Sequence, residues 1–272
     1  MTPSFPTLRH DQVFNMHGYW IPGAPFPKLV QRNQELHTTL WKHLDMRDFV
    51  PARVYIHNHF VDVLKHRPLP DDLAHSRNGL CIVGHFLSFR YFEHMQAHLQ
   101  TLFCPAPPAR ARLLQKYGIG TRVDSVSVHI RRNDILHPLN CTIVLGAFYY
   151  EAAIRTILSR TKGAALRWVV CSDDMTFVKT HWKDSFGGHL LPSHMPVIFS
   201  DESSALDDLY LMSLCTHHIV ATSTFSAWGA FLAEPRPDKI IVCPDRMTQP
   251  ILGFRAPFDL FPKHWTHLPA SP

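Results

Sequence analysis

The chain has 272 residues, 46% of them apolar and 18% charged, with a net charge of +5. That is enough apolar material for one large domain or two ordinary ones, which excludes wholesale disorder. With Gly at only 12 and Cys at only 6, collagen-like and disulfide-dense classes are excluded as well.

The 20 histidines and 22 prolines are the unusual counts, and the histidines invite a metal reading that must be tested. Apolar stretches such as 168–171 fall far short of the ~20 residues that cross a bilayer. The first residues carry no basic segment followed by an apolar one, so no signal peptide is expected. None of Cys81, Cys104, Cys141, Cys171, Cys215 and Cys243 forms a CxxC pair. Buried free thiols are expected, which favours a reducing, cytoplasmic compartment, with the Golgi lumen as the alternative for a fragment of a longer protein. The basic excess suits an anionic ligand, but no Lys/Arg run exceeds two residues, so no nucleic-acid partner is expected.

In chain order, a helix is expected at 29–44, a short strand at 53–56 and a buried strand at 79–84. Phe92, Met95, Leu99 and Leu102 recur at helical spacing behind Ser88, a cap residue, so 88–103 reads as one helix. Pro105, Pro107 and Pro108 stop it, and a short helix follows at 109–117. From Ser125 the pattern alternates regularly. Strands are expected at 126–130, 166–171, 197–199, 218–221 and 239–243, with helices at 148–160, 175–182, 206–215 and 226–233. Such alternation means a parallel, Rossmann-like sheet, whose ligands bind beyond the carboxyl ends of the strands.

The first of these strands ends in His129-Ile130-Arg131-Arg132-Asn133-Asp134. Two guanidiniums leaving a buried strand need an anion or a carboxylate. A phosphate and an internal salt bridge to Asp134 or Asp173 fit the local pattern equally. The second strand ends in Ser172-Asp173-Asp174, where one carboxylate, Asp173, serves as an N-cap and the other is left to orient an arginine or face a ligand. After the fourth strand comes Thr222-Ser223-Thr224-Phe225-Ser226, more hydroxyls than a cap needs, at a helix start suited to an anion. Ser204 and Asp207 have capping-box spacing, which leaves Asp208 free. A single carboxylate can accept from guanine's ring N–H and its amine together.

These blocks, together with Asp208–Ala230 as one long run, resemble the α-1,2-fucosyltransferases of glycosyltransferase family 11. Phe148–Ile154 and Gly84–Phe92 resemble the segment between the blocks and an upstream aromatic motif. The resemblance implies a GT-B-like α/β fold of two Rossmann-like domains. Residues 1–120 would form the acceptor-side domain, and 121–272 the GDP-sugar-binding domain with a C-terminal tail. The family's N-terminal Gly-rich loop has no counterpart, so the first domain reads as truncated or diverged.

By the same resemblance, L-fucose would pass from GDP-fucose to the 2-hydroxyl of a galactose-containing glycan with inversion and without metal or other cofactor. Arg132 and Arg131 would neutralise the departing β-phosphate. His129 and Asp208 would lie near the guanosine, and Ser223, Thr224 and Ser226 would bind the diphosphate, with Asp134, Asp173 and Asp174 supporting. A degenerate member that binds a nucleotide or glycan without turnover, and a transferase for a different sugar, are the alternatives. His57-Asn58-His59 and His217-His218 lack carboxylate or cysteine partners at metal-ligand spacing, which leaves His129 as the one histidine of functional interest.

Overall fold

The computed structural model describes residues 87–136, 142–247 and 259–272, together with the backbone of two short strands, β1 (Arg53–Ile56) and β2 (Leu80–Val83). The helix expected at 29–44, His57-Asn58-His59 and the 84–86 start of the aromatic motif lie outside the described residues. β1 and β2 pair in parallel, Arg53 opposite Leu80, as a separate two-stranded sheet.

The main body is one six-stranded, all-parallel sheet. Its strands are β3 (Asp124–Ile130), β4 (Leu166–Ser172), β5 (Val197–Phe199), β6 (His217–Ile219), β7 (Ile241–Pro244) and β8 (Thr266–Leu268). They lie in the order β5-β4-β3-β6-β7-β8. Counted from β3 this is 3-2-1-4-5-6, the Rossmann order, with its switch point between β3 and β6. The helices are α1 (Gln96–Leu102), α2 (Pro107–Tyr117), α3 (Ala147–Arg160), α4 (Met175–Ser185), α5 (Ala205–Ser213) and α6 (Thr224–Leu232).

Strands of a parallel sheet are buried on both faces, and β3 shows what that demands of its sequence. Val126, Val128 and Ile130 face the core beneath α3. Ser125, Ser127 and His129 alternate with them, yet are equally buried. The polar face is satisfied across strands: Ser127 Oγ lies 2.8 Å from His218 Nδ1, and Ser125 N–H donates to Thr216 Oγ1. On α3 the buried residues are Tyr149, Tyr150, Ala153, Ile154 and Ile157, one helical stripe. Each large side chain of this kind contributes roughly 1.5–3 kcal/mol by burial. The two tyrosines also fix the strand exits. Tyr149 donates to the Val220 carbonyl just beyond β6 (2.6 Å), and Tyr150 to the His129 carbonyl of β3 (3.0 Å). One helix therefore pins both strands that border the switch point.

Residues 88–103 are not a single helix. Ser88 caps a 3-10 turn, Phe89–Tyr91; a second turn, Glu93–Met95, follows, and α-helix begins only at Gln96. The tighter turns shift the phase of the apolar stripe: Phe92 and Leu99 pack inward, while Met95 is exposed. This segment buttresses α6. Gln96 and Gln100 donate to the Phe231 and Ala233 carbonyls at its carboxyl end. Lys239 donates to Ala233 as well. α2 packs on α5, with Leu113 and Tyr117 in one cluster with Val169, Cys171 and Leu211. Residues 87–117, assigned by sequence to the first domain, are thus packed on the helices of the six-stranded sheet. Among the described residues Cys104, Cys171, Cys215 and Cys243 are free thiols, and no helix is long and apolar enough to cross a membrane.

Candidate active site

Three loops meet at the carboxyl edge of the sheet around β3. The two arginines leaving β3 part in opposite directions. Arg131 turns toward β6: its Nη1 donates to Ser223 Oγ (3.2 Å), while Nε and Nη2 grip Asp134 at 3.1 and 2.6 Å. Arg132 turns toward β4. Its Nε donates to Asp174 Oδ2 at 3.3 Å, and its guanidinium carbon lies 3.4 Å from the centre of the Phe177 ring. Only Arg131 therefore spans the switch point between β3 and β6. Sequence reasoning, led by the family pattern, ranked Arg132 first; which neighbour each guanidinium reaches is set by the flanking loops.

Asp134 is held below the usual carboxylate range chiefly by its hydrogen bonds from Arg131. Of the carboxylates after β4, Asp174 does both of the jobs expected of the pair. Asp174, not Asp173, caps α4, accepting from Phe177 N–H (3.2 Å) through Oδ1 while Oδ2 meets Arg132. Asp173 Oδ1 accepts the backbone N–H of Arg132 (2.8 Å), and its carbonyl accepts from Asn133 Nδ2 (2.5 Å). The exit loop of β3 is thereby fastened to the exit of β4.

Beyond β6, Ser223 is buried and caps α6, accepting from Phe225 N–H (3.2 Å) as well as from Arg131. Thr224 opens the helix and lines a cavity of about 330 Å³ with Phe89, Phe92, Trp228 and Trp265. Ser226 is buried and fully committed, accepting from Ala221 N–H and donating to the Ser223 carbonyl. Thr222 donates to the Ile143 carbonyl. Of the hydroxyl cluster, Ser223 and Thr224 stand at the open end of the helix, and Ser226 and Thr222 hold the turn together.

His129, near the carboxyl end of β3, sits with its ring 5.6 Å from that of Phe225. Burial and the Arg131 charge lower its pKa to about 3, so the ring is neutral, and its buried Nδ1 has no partner. His217 and His218 are also kept neutral by burial; His217 Nδ1 accepts from Ile240 N–H, a bond only an unprotonated nitrogen can accept.

Asp208 lies on the same side of the sheet, beyond Cys171, the cross-strand partner of His129. It is not free: Ser200 Oγ donates to its Oδ1 at 2.5 Å, and Cys171 hydrogen-bonds to it. Burial pushes its pKa up to about 6. Ser204 caps α5 through Leu206 N–H, whereas Asp207 spends its carboxylate on Arg112 (2.8 Å). Among the described residues no group of three or more His, Cys, Asp or Glu side chains could hold a metal ion.

Residues 80–267 match the family model of glycosyl transferase family 11. Among curated relatives, the O-antigen biosynthesis glycosyltransferase WbnK of Escherichia coli is 34% identical over 62% of this chain and 55% of its own length. An alpha-1,2-colitosyltransferase of Escherichia coli is 29% identical over 55% of this chain and 50% of its own length. Galactoside alpha-(1,2)-fucosyltransferase 2 of Bos taurus is 26% identical over 70% of this chain and 55% of its own length. The chain spans about half the length of these relatives. Among solved structures, fucosyltransferase NodZ from Bradyrhizobium aligns with 15% identity and a TM-score of 0.40, covering 80% of this chain and 69% of that one. The family model takes in well over half of the sequence, and the chain belongs to glycosyltransferase family 11.

Proposed function

We propose that the chain is an inverting glycosyltransferase that moves L-fucose from GDP-fucose to the 2-hydroxyl of a galactoside. Family membership supports the reaction class. The relatives named for α-1,2-colitosyl and galactoside α-(1,2)-fucosyl transfer support the linkage. The observation that carries the reading is the position of Arg131. Its guanidinium crosses the switch point to Ser223 at the start of α6, a helix with no acidic residue in its first turn.

A guanidinium has five N–H donors; three are engaged here by Asp134 and Ser223, which leaves two for a ligand. In the reaction the sugar C1–O bond to the diphosphate breaks as the acceptor hydroxyl oxygen attacks C1 from the opposite face and gives up its proton to solvent, releasing GDP. Negative charge grows on the leaving β-phosphate. Arg131 and the free N–H groups of α6 would meet that charge, a preorganised stabilisation that is often the largest catalytic contribution. This reading assigns the neutralisation to Arg131 and the helix end and calls for no metal. Asp208, which reaches Cys171, and His129, the cross-strand partner of Cys171, would accept and orient the base.

The colitosyltransferase relative favours one second reading, transfer of a different sugar. Calorimetry with GDP, run beside transfer assays from GDP-fucose and other GDP-sugars to a galactoside, tests both. We expect GDP to bind and fucose to be transferred. GDP binding without fucose transfer transfers support to another sugar or to a non-catalytic binder, and no GDP binding overturns the nucleotide reading. Arg131→Ala should weaken GDP by roughly 10- to 100-fold, the range that a lost charged hydrogen bond of ~1.5–3 kcal/mol converts to.

A further inference from the structure

The mechanism leaves one conspicuous arrangement unused. Arg132, the second arginine of the pair, has its guanidinium flat against the Phe177 ring, with Asp174 at its Nε. Its side chain is only 16% exposed, and it lies on the β4 side of β3, away from the β3/β6 crevice. Asp174 and Phe177 are themselves joined, because the Asp174 carboxylate caps the Phe177 amide. Phe177 in turn is stacked on His181 and set edge-on to Phe186, so the ring that carries Arg132 is packed in place. Around it, the Arg132 N–H is held by Asp173, the Asn133 amide by the Asp173 carbonyl, and the Leu136 N–H by the Arg132 carbonyl.

We propose that Phe177, with Asp174, is a positioning residue: the pair holds Arg132 over the first turn of α4 and so fixes the β3 exit loop in the arrangement that presents Arg131 to an anion at α6. This rests on the reading of Arg131 as the diphosphate ligand. The physical case is one of restricted freedom. An arginine carries large rotamer entropy, and its planar head stacks well on an aromatic face. Arg131 and Arg132 are consecutive, so the loop cannot move one without the other. Arg132 anchored at β4 leaves Arg131 a single direction, across β3 toward Ser223.

The test is a double-mutant cycle read by calorimetry on two probes, GDP and inorganic pyrophosphate, with Phe177→Leu and Phe177→Trp made alone and together with Arg132→Gln. Phe177→Leu should weaken both probes about fivefold, in line with the strength of a partly buried cation–π contact. Phe177→Trp, which restores an aromatic face, should stay within about twofold of the wild type. In the Arg132→Gln background Phe177→Leu should cost nothing further, because the partner through which it acts is gone. Losses that multiply in the double variant, or a Phe177→Trp as damaging as Phe177→Leu, overturn the proposal. If Phe177→Leu does not fold, Asp174→Asn takes its place in the cycle. It keeps an oxygen to cap Phe177, removes the charge beside Arg132, and should show the same lack of additivity. A wild-type protein that binds pyrophosphate but not GDP overturns the nucleotide reading and leaves the cycle readable; one that binds neither probe overturns both.

Discussion

Helices α4 and α6 begin at the same edge of one sheet, either side of β3, and their first turns are furnished in opposite ways. α4 is capped by a carboxylate, Asp174, which completes the positive end of its helix dipole and pairs with Arg132. α6 is capped by a neutral hydroxyl, has no acid in its first turn, and is approached by a second guanidinium. Between them in the chain, α5 carries Asp207 and Asp208 in its first turn. Of the three helices, only α6 leaves its positive end without a carboxylate from the chain. It begins beside the switch point, where doubly wound sheets bind ligands.

The sharpest way to break this difference is to give α6 what α4 already has. Ser223→Asp supplies a cap that helices accept readily and a carboxylate within reach of Arg131. We expect GDP affinity to fall by about 100-fold, as a bound phosphate loses two charged partners, while the melting temperature holds or rises. Retained affinity in a folded variant would place the anion elsewhere.

A smaller effect separates α5 from both. In the fold Asp208 ionises only near pH 6, chiefly because it is buried, against an ordinary value of 3.8. The unfolded chain therefore releases that proton first as pH rises, and above about 6 the folded carboxylate costs stability; below about 4 both states are protonated and the cost vanishes. Asp208→Asn should raise the melting temperature by about 2–4 °C at pH 7.5, a gain that shrinks as pH is lowered from 6 to 4. If Asp208 reads the base, the same variant loses affinity for GDP and not for pyrophosphate. A flat pH dependence of the gain would remove the burial argument.

The smallest effect is expected at the opposite edge of the sheet. There Arg236 is shared between Asp124 and Asp238 at 2.8 and 2.7 Å, in a cluster largely open to solvent. Arg236→Ala should change stability by less than about 1 kcal/mol and leave GDP titrations unaltered. A marked loss of affinity would mean that the two edges are coupled.

The sequence carried the architecture further than the site. Strands β3 to β7 and helices α3 to α6 lie within three residues of their expected limits, because burial on both faces and the 3.6 period both leave marks along the chain. β8 went unread: three residues of alternating partial burial have no periodicity to detect. At the site, residue types were legible and directions were not. Nothing local distinguishes Asp173 from Asp174 as the cap, or sends Arg131 to β6 and Arg132 to β4; those choices depend on loops 40 and more residues away. Phe177 lies inside the helix expected at 175–182 with no local mark of its own, and only the fold brings it under a guanidinium.

The seating of α6 has a further consequence. A Cβ at Gly229 would stand 2.9 Å from Met212 Cβ, so α6 lies against α5 with no room for a side chain at this position. Gly229 works as a spacer of zero thickness. It sets how deep α6 rests on its neighbour, and with that the height at which Ser223 is offered to Arg131, six residues nearer the start of the chain. Any side chain added there would act like a shim under one end of a beam, and its effect would be felt at the far end of the helix, in the gap between Arg131 and Ser223.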